Sequence, residues 1–199
     1  WWDSENLARR RPYLDVRRAA MKAVRAYFQA EGFIEVETPG LQLSPGIERH
    51  TRPFATTLRE PFAPPDSPGA VRYLHTSPEF AMKKLVAGGM GKVVQICHVW
   101  RDGERSPLHH PEFTMVEWYR TGTDYGTLMT DCEALMLGVA KAAERTLQQG
   151  GLLRWQGRAC DPVKAAERLT VEDVFARYTG INLLETIDDP AQAAPPPDK

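Results

Sequence analysis

Two β-rich runs joined by a polar loop constrain the fold of this chain more than any other feature of its sequence. The first run extends from Lys92 to Arg101 and the second from Glu112 to Arg120. Both are rich in β-branched and aromatic side chains, which favour strands. The loop between them, Asp102 to Pro111, is polar. Adjacent strands connected in this way most simply pair antiparallel, so the sequence predicts an antiparallel pair here.

The alternation of side chains along each strand predicts which residues share a surface. One face of the first strand carries Gln95, Cys97, Val99 and Arg101. One face of the second strand carries Phe113, Met115, Glu117 and Tyr119. An arginine, an aromatic ring, a carboxylate and a phenol are therefore expected to line one surface of the sheet. The alternative is a solvated outer face with scattered charges.

The composition of the connecting loop favours a binding surface. Charged and imidazole side chains crowd the loop, namely Glu104, Arg105, His109 and His110. A guanidinium suits a phosphate group, and an aromatic ring suits a nucleobase. A cation-rich loop beside Arg101 and Phe113 is therefore typical of a nucleotide site.

Helical signals predict four helices around these strands. Apolar residues recur at spacings of three and four from Tyr13 to Glu31 and from about Tyr125 to Glu144. The run Thr76-Ser77-Pro78-Glu79 is a helix start, and the helix continues to Ala87. Residues 170–173 resemble a capping box and open a short helix that ends at Gly180.

The remaining segments read as one strand and loops. Residues 33–37 alternate and end at Thr38-Pro39, which predicts a strand. Residues 40–70 are rich in proline and glycine and are expected to form loops, with a short strand from Phe54 to Leu58. Residues 191–199 contain three consecutive prolines and are expected to form a linker or frayed tail.

Charge and cysteine content exclude several classes of protein. The chain has 25 basic and 26 acidic side chains, a net charge of -1, which argues against a mainly electrostatic binder of nucleic acid or membrane surfaces. No apolar run approaches the roughly 20 residues of a membrane span. Cys97, Cys132 and Cys160 show no zinc-type spacing and fit a reducing compartment. We therefore expect a cytoplasmic protein without membrane association.

Three segments resemble motifs of class II aminoacyl-tRNA synthetases. Residues 33–39 resemble motif 1, and the segment from Arg101 to Tyr119, with the run His109-His110-Pro111-Glu112-Phe113, resembles motif 2 of the lysyl branch. Residues 76–79, with Met82-Lys83, are similar to the segment that lines the amino-acid pocket. The run Glu117-Trp118-Tyr119-Arg120 narrows the resemblance to the elongation factor P β-lysine ligases, stand-alone paralogues of lysyl-tRNA synthetase. The resemblance extends from about Asn6 to Ile187.

The resemblance implies an α+β fold, with a class II synthetase-like antiparallel sheet flanked by helices and motif 1 at a homodimer contact. Residues 1–12 would be an N-terminal extension, and residues 13–189 the N-terminal part of the catalytic domain. Motif 1 would occupy about 28–39 and motif 2 about 98–120. Residues 190–199 would be a proline-rich flexible tail.

The implied reaction activates lysine or β-lysine with ATP and passes the acyl group to a lysine of elongation factor P. Arg101 would be the catalytic residue that holds the α-phosphate and the substrate carboxylate. Phe113 would stack on adenine. The other implied ATP contacts are Asp102, Gly103, Glu104, His109 and His110. In the amino-acid pocket, Glu79 would hold one amino group of the substrate, with Ser77 and Pro78 also lining the pocket, and Glu117 and Tyr119 would hold the other amino group.

Each of these residues also has a purely structural reading. Ser77 and Glu79 would then only cap a helix, and Glu117 would pair with Arg101 or Arg120. His109 and His110 would be solvated loop residues, and Phe113 would belong to the core. A metal site formed by His98 and the two loop histidines matches no familiar ligand spacing.

The sequence departs from the family pattern in three places. Gly103 occupies the place of the usual motif 2 glutamate, and His110 stands where asparagine is usual. Glu104 or the backbone at Gly103 would then take over the adenine contact. Motif 3 and the acidic residues that hold Mg²⁺ would lie beyond Lys199. No metal site is therefore expected within the chain, and residues 1–199 alone are expected to turn over little or no ATP.

Two other functions compete with the ligase. A lysyl-tRNA synthetase would need an anticodon-binding domain, which the few residues before Tyr13 do not provide, so stable tRNA binding is not expected. A truncated paralogue would keep the surface but bind a nucleotide or partner without catalysis. The reading frame beyond Lys199 would separate this paralogue from the ligase.

Overall fold

The computed structural model of the chain describes residues 2–147 and 150–186. These residues form two compact units, which divide between Leu152 and Leu153. The predicted proline-rich tail at 190–199 lies outside the described residues. The predicted α+β architecture is confirmed, because helices and antiparallel strand pairs occur together in the chain.

The central sheet of the first unit contains three strands: β1 (Ile34–Glu35), β5 (Lys92–Trp100) and β6 (Glu112–Arg120). β5 lies in the middle, parallel to β1 and antiparallel to β6. The predicted antiparallel pair is therefore confirmed. In its register Gln95 faces Glu117 and Val99 faces Phe113, so the residues expected to share one surface do share it.

Two long helices cover the opposite face of this sheet. They are α1 (Ser4–Ala30) and α3 (Tyr125–Leu147), which pack against each other. The core beneath them is a cluster around Phe28, Phe33 and Val94, with the side chain of Trp118 packed against it. Burying such large side chains contributes about 1.5–3 kcal/mol each. The core thus holds one face of β5 and β6 and leaves the other face for the site.

The predicted start of the first helix was wrong. We expected Tyr13, but α1 begins at Ser4, so most of the expected N-terminal extension is helical. Asp3 caps the helix by accepting a hydrogen bond from the backbone N–H of Asn6 at 2.9 Å. Pro12 lies inside the helix, although proline removes one backbone donor there. The capped first turns therefore extend the helix upstream of the proline.

A second, smaller sheet lies in the region expected to be mostly loop. It contains β2 (Leu41–Gln42), β3 (Ala55–Leu58) and β4 (Ala70–Leu74), in the order β2-β4-β3. The short strand predicted from Phe54 to Leu58 is confirmed as β3. The strand β4 was not predicted, and the strand predicted over 33–37 is shortened to the two residues of β1. Just beyond β1, the backbone N–H of Val36 still donates to the Val94 carbonyl of β5 at 2.8 Å.

The other predicted helices are confirmed. The helix α2 (Glu79–Ala87) follows the predicted start signal. In the second unit, α4 (Val171–Thr179) has the capping box of Thr170 and Asp173, and Gly180 ends it with a left-handed φ of 71°. That unit also contains an unpredicted hairpin, β7 (Leu153–Trp155) and β8 (Arg158–Cys160), and a 3-10 turn at Leu184–Thr186. None of the helices in the described part of the chain is long and apolar enough to cross a membrane.

Candidate functional site

Glu117 stands at the centre of the candidate site, in the middle of β6. Its carboxylate accepts a hydrogen bond from the Ser77 hydroxyl at 2.5 Å and another from the Tyr119 hydroxyl. Burial, the hydrogen bond and the charge of Glu117 all raise the pKa of Tyr119, so its phenol stays protonated and donates. Two hydroxyl donors therefore fix the orientation of this carboxylate.

The start of α2 adds a second carboxylate to the same place. The backbone N–H of Glu79 donates to Ser77 Oγ at 3.1 Å, and the same Ser77 hydroxyl donates to Glu117. The Glu79 carboxylate accepts from Lys83, whose ammonium lies 5.9 Å from the centre of the Tyr119 ring, so Glu79 lies near the phenol. Ser77 thus ties the first turn of α2 to the Glu117 carboxylate.

Arg101 follows directly after β5 and lies on the same surface as Glu117. Its Nε donates to the carbonyl oxygen of Thr76 at 3.2 Å, and its guanidinium lies 5.3 Å from the centre of the Phe113 ring. Phe113 is only half-buried and does not belong to the buried core cluster. A guanidinium held over a half-buried aromatic ring presents groups that suit a phosphate and a nucleobase.

The turn after Arg101 explains how glycine is accommodated in place of the expected glutamate. Gly103 has a left-handed φ of +84°, which L side chains rarely adopt. The neighbouring Glu104 carboxylate lies 3.5 Å from Arg101 Nη1. Asp102 forms a β-bridge with Arg52, and its N–H donates to the Arg52 carbonyl at 2.7 Å. Within this turn, the side chain that reaches Arg101 is therefore that of Glu104.

The two loop histidines, His109 and His110, have hydrogen-bond partners other than Arg101 and Phe113. Both are exposed. His109 Nδ1 lies 2.8 Å from the Ser106 hydroxyl, and His110 Nδ1 lies 2.9 Å from the Glu112 carbonyl oxygen. Across residues 2–147 and 150–186, no group of three or more His, Cys, Asp or Glu side chains is arranged to hold a metal ion. The ATP contacts of His109 and His110 stay predictions.

A buried ionic network beneath the site was not predicted. The Asp131 carboxylate, from α3, is 2% exposed. It accepts from Arg120 at 2.7 and 2.8 Å, from Trp118 at 3.1 Å and from the Tyr27 hydroxyl. Trp118 and Arg120 flank Tyr119 in β6, so the network fixes the strand that carries the site. In the sequence, this network is indicated by a charged residue, Asp131, within the apolar face of α3.

Lys83 is a second residue whose contact the sequence did not predict. Its ammonium donates to the Glu79 carboxylate, one helical turn earlier in α2. It also lies 5.9 Å from the centre of the Tyr119 ring. Of the predicted residues, the structure thus brings together Ser77, Glu79, Glu117 and Tyr119. The ammonium of Lys83 lies beside them.

A family model described as tRNA synthetases class II (D, K and N) matches residues 5–192. The chain belongs to this family. Class II synthetases use ATP and Mg²⁺ for aminoacylation-type chemistry, so this chain carries a ligase-family domain. The Arg101 and Phe113 pair fits a nucleotide by the chemistry of its groups. The expected class II fold, an α+β arrangement with an antiparallel strand pair flanked by helices, is confirmed.

Proposed function

We propose that this class II synthetase domain activates lysine or β-lysine as an aminoacyl-adenylate and passes the acyl group to a lysine amine of elongation factor P. The observation that carries this proposal is a pair of carboxylates near the Tyr119 ring: Glu117 accepts from the Tyr119 hydroxyl, and Glu79 pairs with Lys83, whose ammonium lies over that ring. A substrate with two ammonium groups matches such a pair. An aspartate side chain would be repelled, and an asparagine side chain would leave a carboxylate without its counter-ion.

In the first step, an oxygen of the amino-acid carboxylate forms a bond to the α-phosphorus of ATP, and pyrophosphate leaves with the electron pair of the broken bond. Negative charge accumulates on the α-phosphate during this step. Arg101 is the cation on this surface that would neutralise it. Phe113 would hold the adenine ring, and the two carboxylates would hold the amino groups, so that the reacting oxygen is oriented toward phosphorus.

In the second step, the neutral amine of the acceptor lysine attacks the acyl carbon, AMP leaves, and the amine loses a proton. We propose elongation factor P as the acceptor because of the resemblance of motif 2 to its ligases. Exposed arginines at positions 9–11 of α1, together with Arg105, would meet an acidic protein surface. Free thiols at all three cysteines fit a reducing compartment, so we place the reaction in the cytoplasm.

Transfer to tRNA is the competing function, and the family match itself favours it. The test offers full-length protein, ATP and radiolabelled β-lysine to elongation factor P and to total tRNA in parallel. We expect label on elongation factor P. Label on tRNA alone would assign the domain to the synthetases proper, and label on neither acceptor would favour a non-catalytic paralogue.

A further inference from the structure

Lys83 occupies the place in the pocket where a substrate amino group is expected. Its ammonium pairs with the Glu79 carboxylate and lies over the ring of Tyr119, whose hydroxyl is bound to Glu117. The side chain of Lys83 is 55% exposed and that of Glu79 is 32% exposed. The lysine therefore reaches the carboxylate from the solvent side and has space to swing away from it.

We propose that Lys83 is a resident counter-ion of the pocket, which the substrate amino group must displace from Glu79. This inference rests on the proposed function. Glu79 and Glu117 carry two negative charges, which match the two ammonium groups of lysine or β-lysine, and Lys83 neutralises one of these charges while the substrate is absent. Without Lys83 the pocket would present two carboxylates with no ammonium of the chain between them, and it would attract small cations less selectively.

Both carboxylates of the pocket act on this ammonium. The pKa of Lys83 is raised, first by its hydrogen bond to Glu79 and by the charge of that residue, and further by the charge of Glu117. Lys83 is therefore protonated whenever the pocket is empty. A ligand must then compete with an ammonium that is tethered to the same helix as Glu79. Tethering gives such a competitor a high effective concentration.

If the substrate must displace Lys83, removing Lys83 should raise the affinity of some ligands more than that of others. A ligand whose amino group needs Glu79 must displace Lys83, whereas a ligand that uses only Glu117 need not. In the proposed complex Arg101 holds the substrate carboxylate and is bonded to Thr76, close to the start of α2, so the neighbouring α-amino group meets Glu79. Lysine therefore belongs to the first kind, and 6-aminohexanoate, which is lysine without its α-amino group, belongs to the second kind. The gain in affinity on removing Lys83 should be larger for lysine than for 6-aminohexanoate, which feels the charge of Lys83 without having to displace it.

The test measures binding of both ligands to the full-length protein by calorimetry, without ATP. In Lys83→Met, lysine should bind about twofold more tightly, the contribution of an i,i+4 ion pair on a helix, and 6-aminohexanoate should gain distinctly less. Lys84→Met is the matched control, because Lys84 is the next residue of the same helix and equally exposed. It should change neither affinity.

A second measurement follows the displacement directly. In wild-type protein, a short pulse of an amine-acetylating reagent, read by mass spectrometry, should modify Lys83 more slowly than Lys84. Added lysine should accelerate modification of Lys83 alone. If lysine binds the wild type but Lys83→Met binds it no more tightly, or if lysine leaves the Lys83 reactivity unchanged, this inference fails and the proposed function stands. If wild-type protein binds neither lysine nor β-lysine in the same assay, both fail.

Discussion

Single side chains decide which chemistry this surface supports. Glu117 is held by two hydroxyl donors, from Ser77 and Tyr119. Its alternative structural role, pairing with an arginine, is not the one observed, because Arg120 pairs with Glu31 and Asp131. The two hydroxyl groups orient the Glu117 carboxylate but are neutral, so no cation of β6 neutralises its negative charge. The charge is thus available to a ligand.

Arg101 gives the first prediction. Arg101→Ala in the full-length protein should abolish amino-acid-dependent ATP–pyrophosphate exchange, because it removes a charge-assisted contact worth about 1.5–3 kcal/mol and more in the transition state. Circular dichroism should show an intact fold. Arg59→Ala, at an exposed position away from the site, should exchange normally. Unchanged exchange in Arg101→Ala would mean that motif 2 has been placed wrongly.

Glu117 gives the second prediction. Glu117→Gln keeps the shape of the side chain but removes its charge, so lysine should bind at least tenfold more weakly, on the order of 1.4 kcal/mol or more. The affinity for ATP should not change. Calorimetric titration measures both affinities. Glu112→Gln, an exposed residue of the same strand on the opposite face, is the control. Equal loss of lysine affinity in both variants would contradict the pocket assignment.

At the scale of elements, the sequence predicted the parts of the fold that follow from local chemistry. The pairing of β5 with β6 followed from β-rich composition, and α4 followed from its capping box and Gly180. The sequence did not predict β4, since this strand depends on pairing with β2 and β3 rather than on its own pattern. The sequence also did not predict the ion pair between Lys83 and Glu79 within the candidate site. The i,i+4 spacing of a glutamate and a lysine is the same in a functional site as on any exposed helix.

The network around Asp131 gives a prediction at this scale. Asp131→Ala would leave Arg120 buried without that partner, and its side chain is only 8% exposed. Loss of one member of a buried ion pair costs about 3–5 kcal/mol. Urea unfolding of Asp131→Ala should show that loss. The comparison is Asp15→Ala, which removes exposed ion pairs with Arg11 and Arg18 and should cost less than about 1 kcal/mol.

At the scale of the whole molecule, the edge of the central sheet is the feature that bears on assembly. β1 is an outer strand, and Ile34 within it is 56% exposed. The resemblance to class II synthetases implies a homodimer through this motif, so the contact remains our prediction. A large apolar residue on an open edge strand is a recognised site of association between chains.

Sedimentation of the full-length protein measures this prediction. We expect a dimer, and we expect Ile34→Arg to shift it toward monomer because a charge would be buried without a partner at the contact. Val163→Arg, a substitution at an exposed position of the second unit, should leave the dimer intact. A monomeric wild-type protein would contradict the assignment of this edge.

The central claim is that the carboxylate pair selects an amino acid with two amino groups. Amino-acid-dependent ATP–pyrophosphate exchange by the full-length protein tests it most directly, with lysine, β-lysine, aspartate and asparagine compared at equal concentration. The account predicts exchange with lysine or β-lysine and at least about a hundredfold less with aspartate and asparagine, since neither of these supplies a second ammonium group for the carboxylate pair. Exchange with aspartate or asparagine at a comparable rate would contradict it.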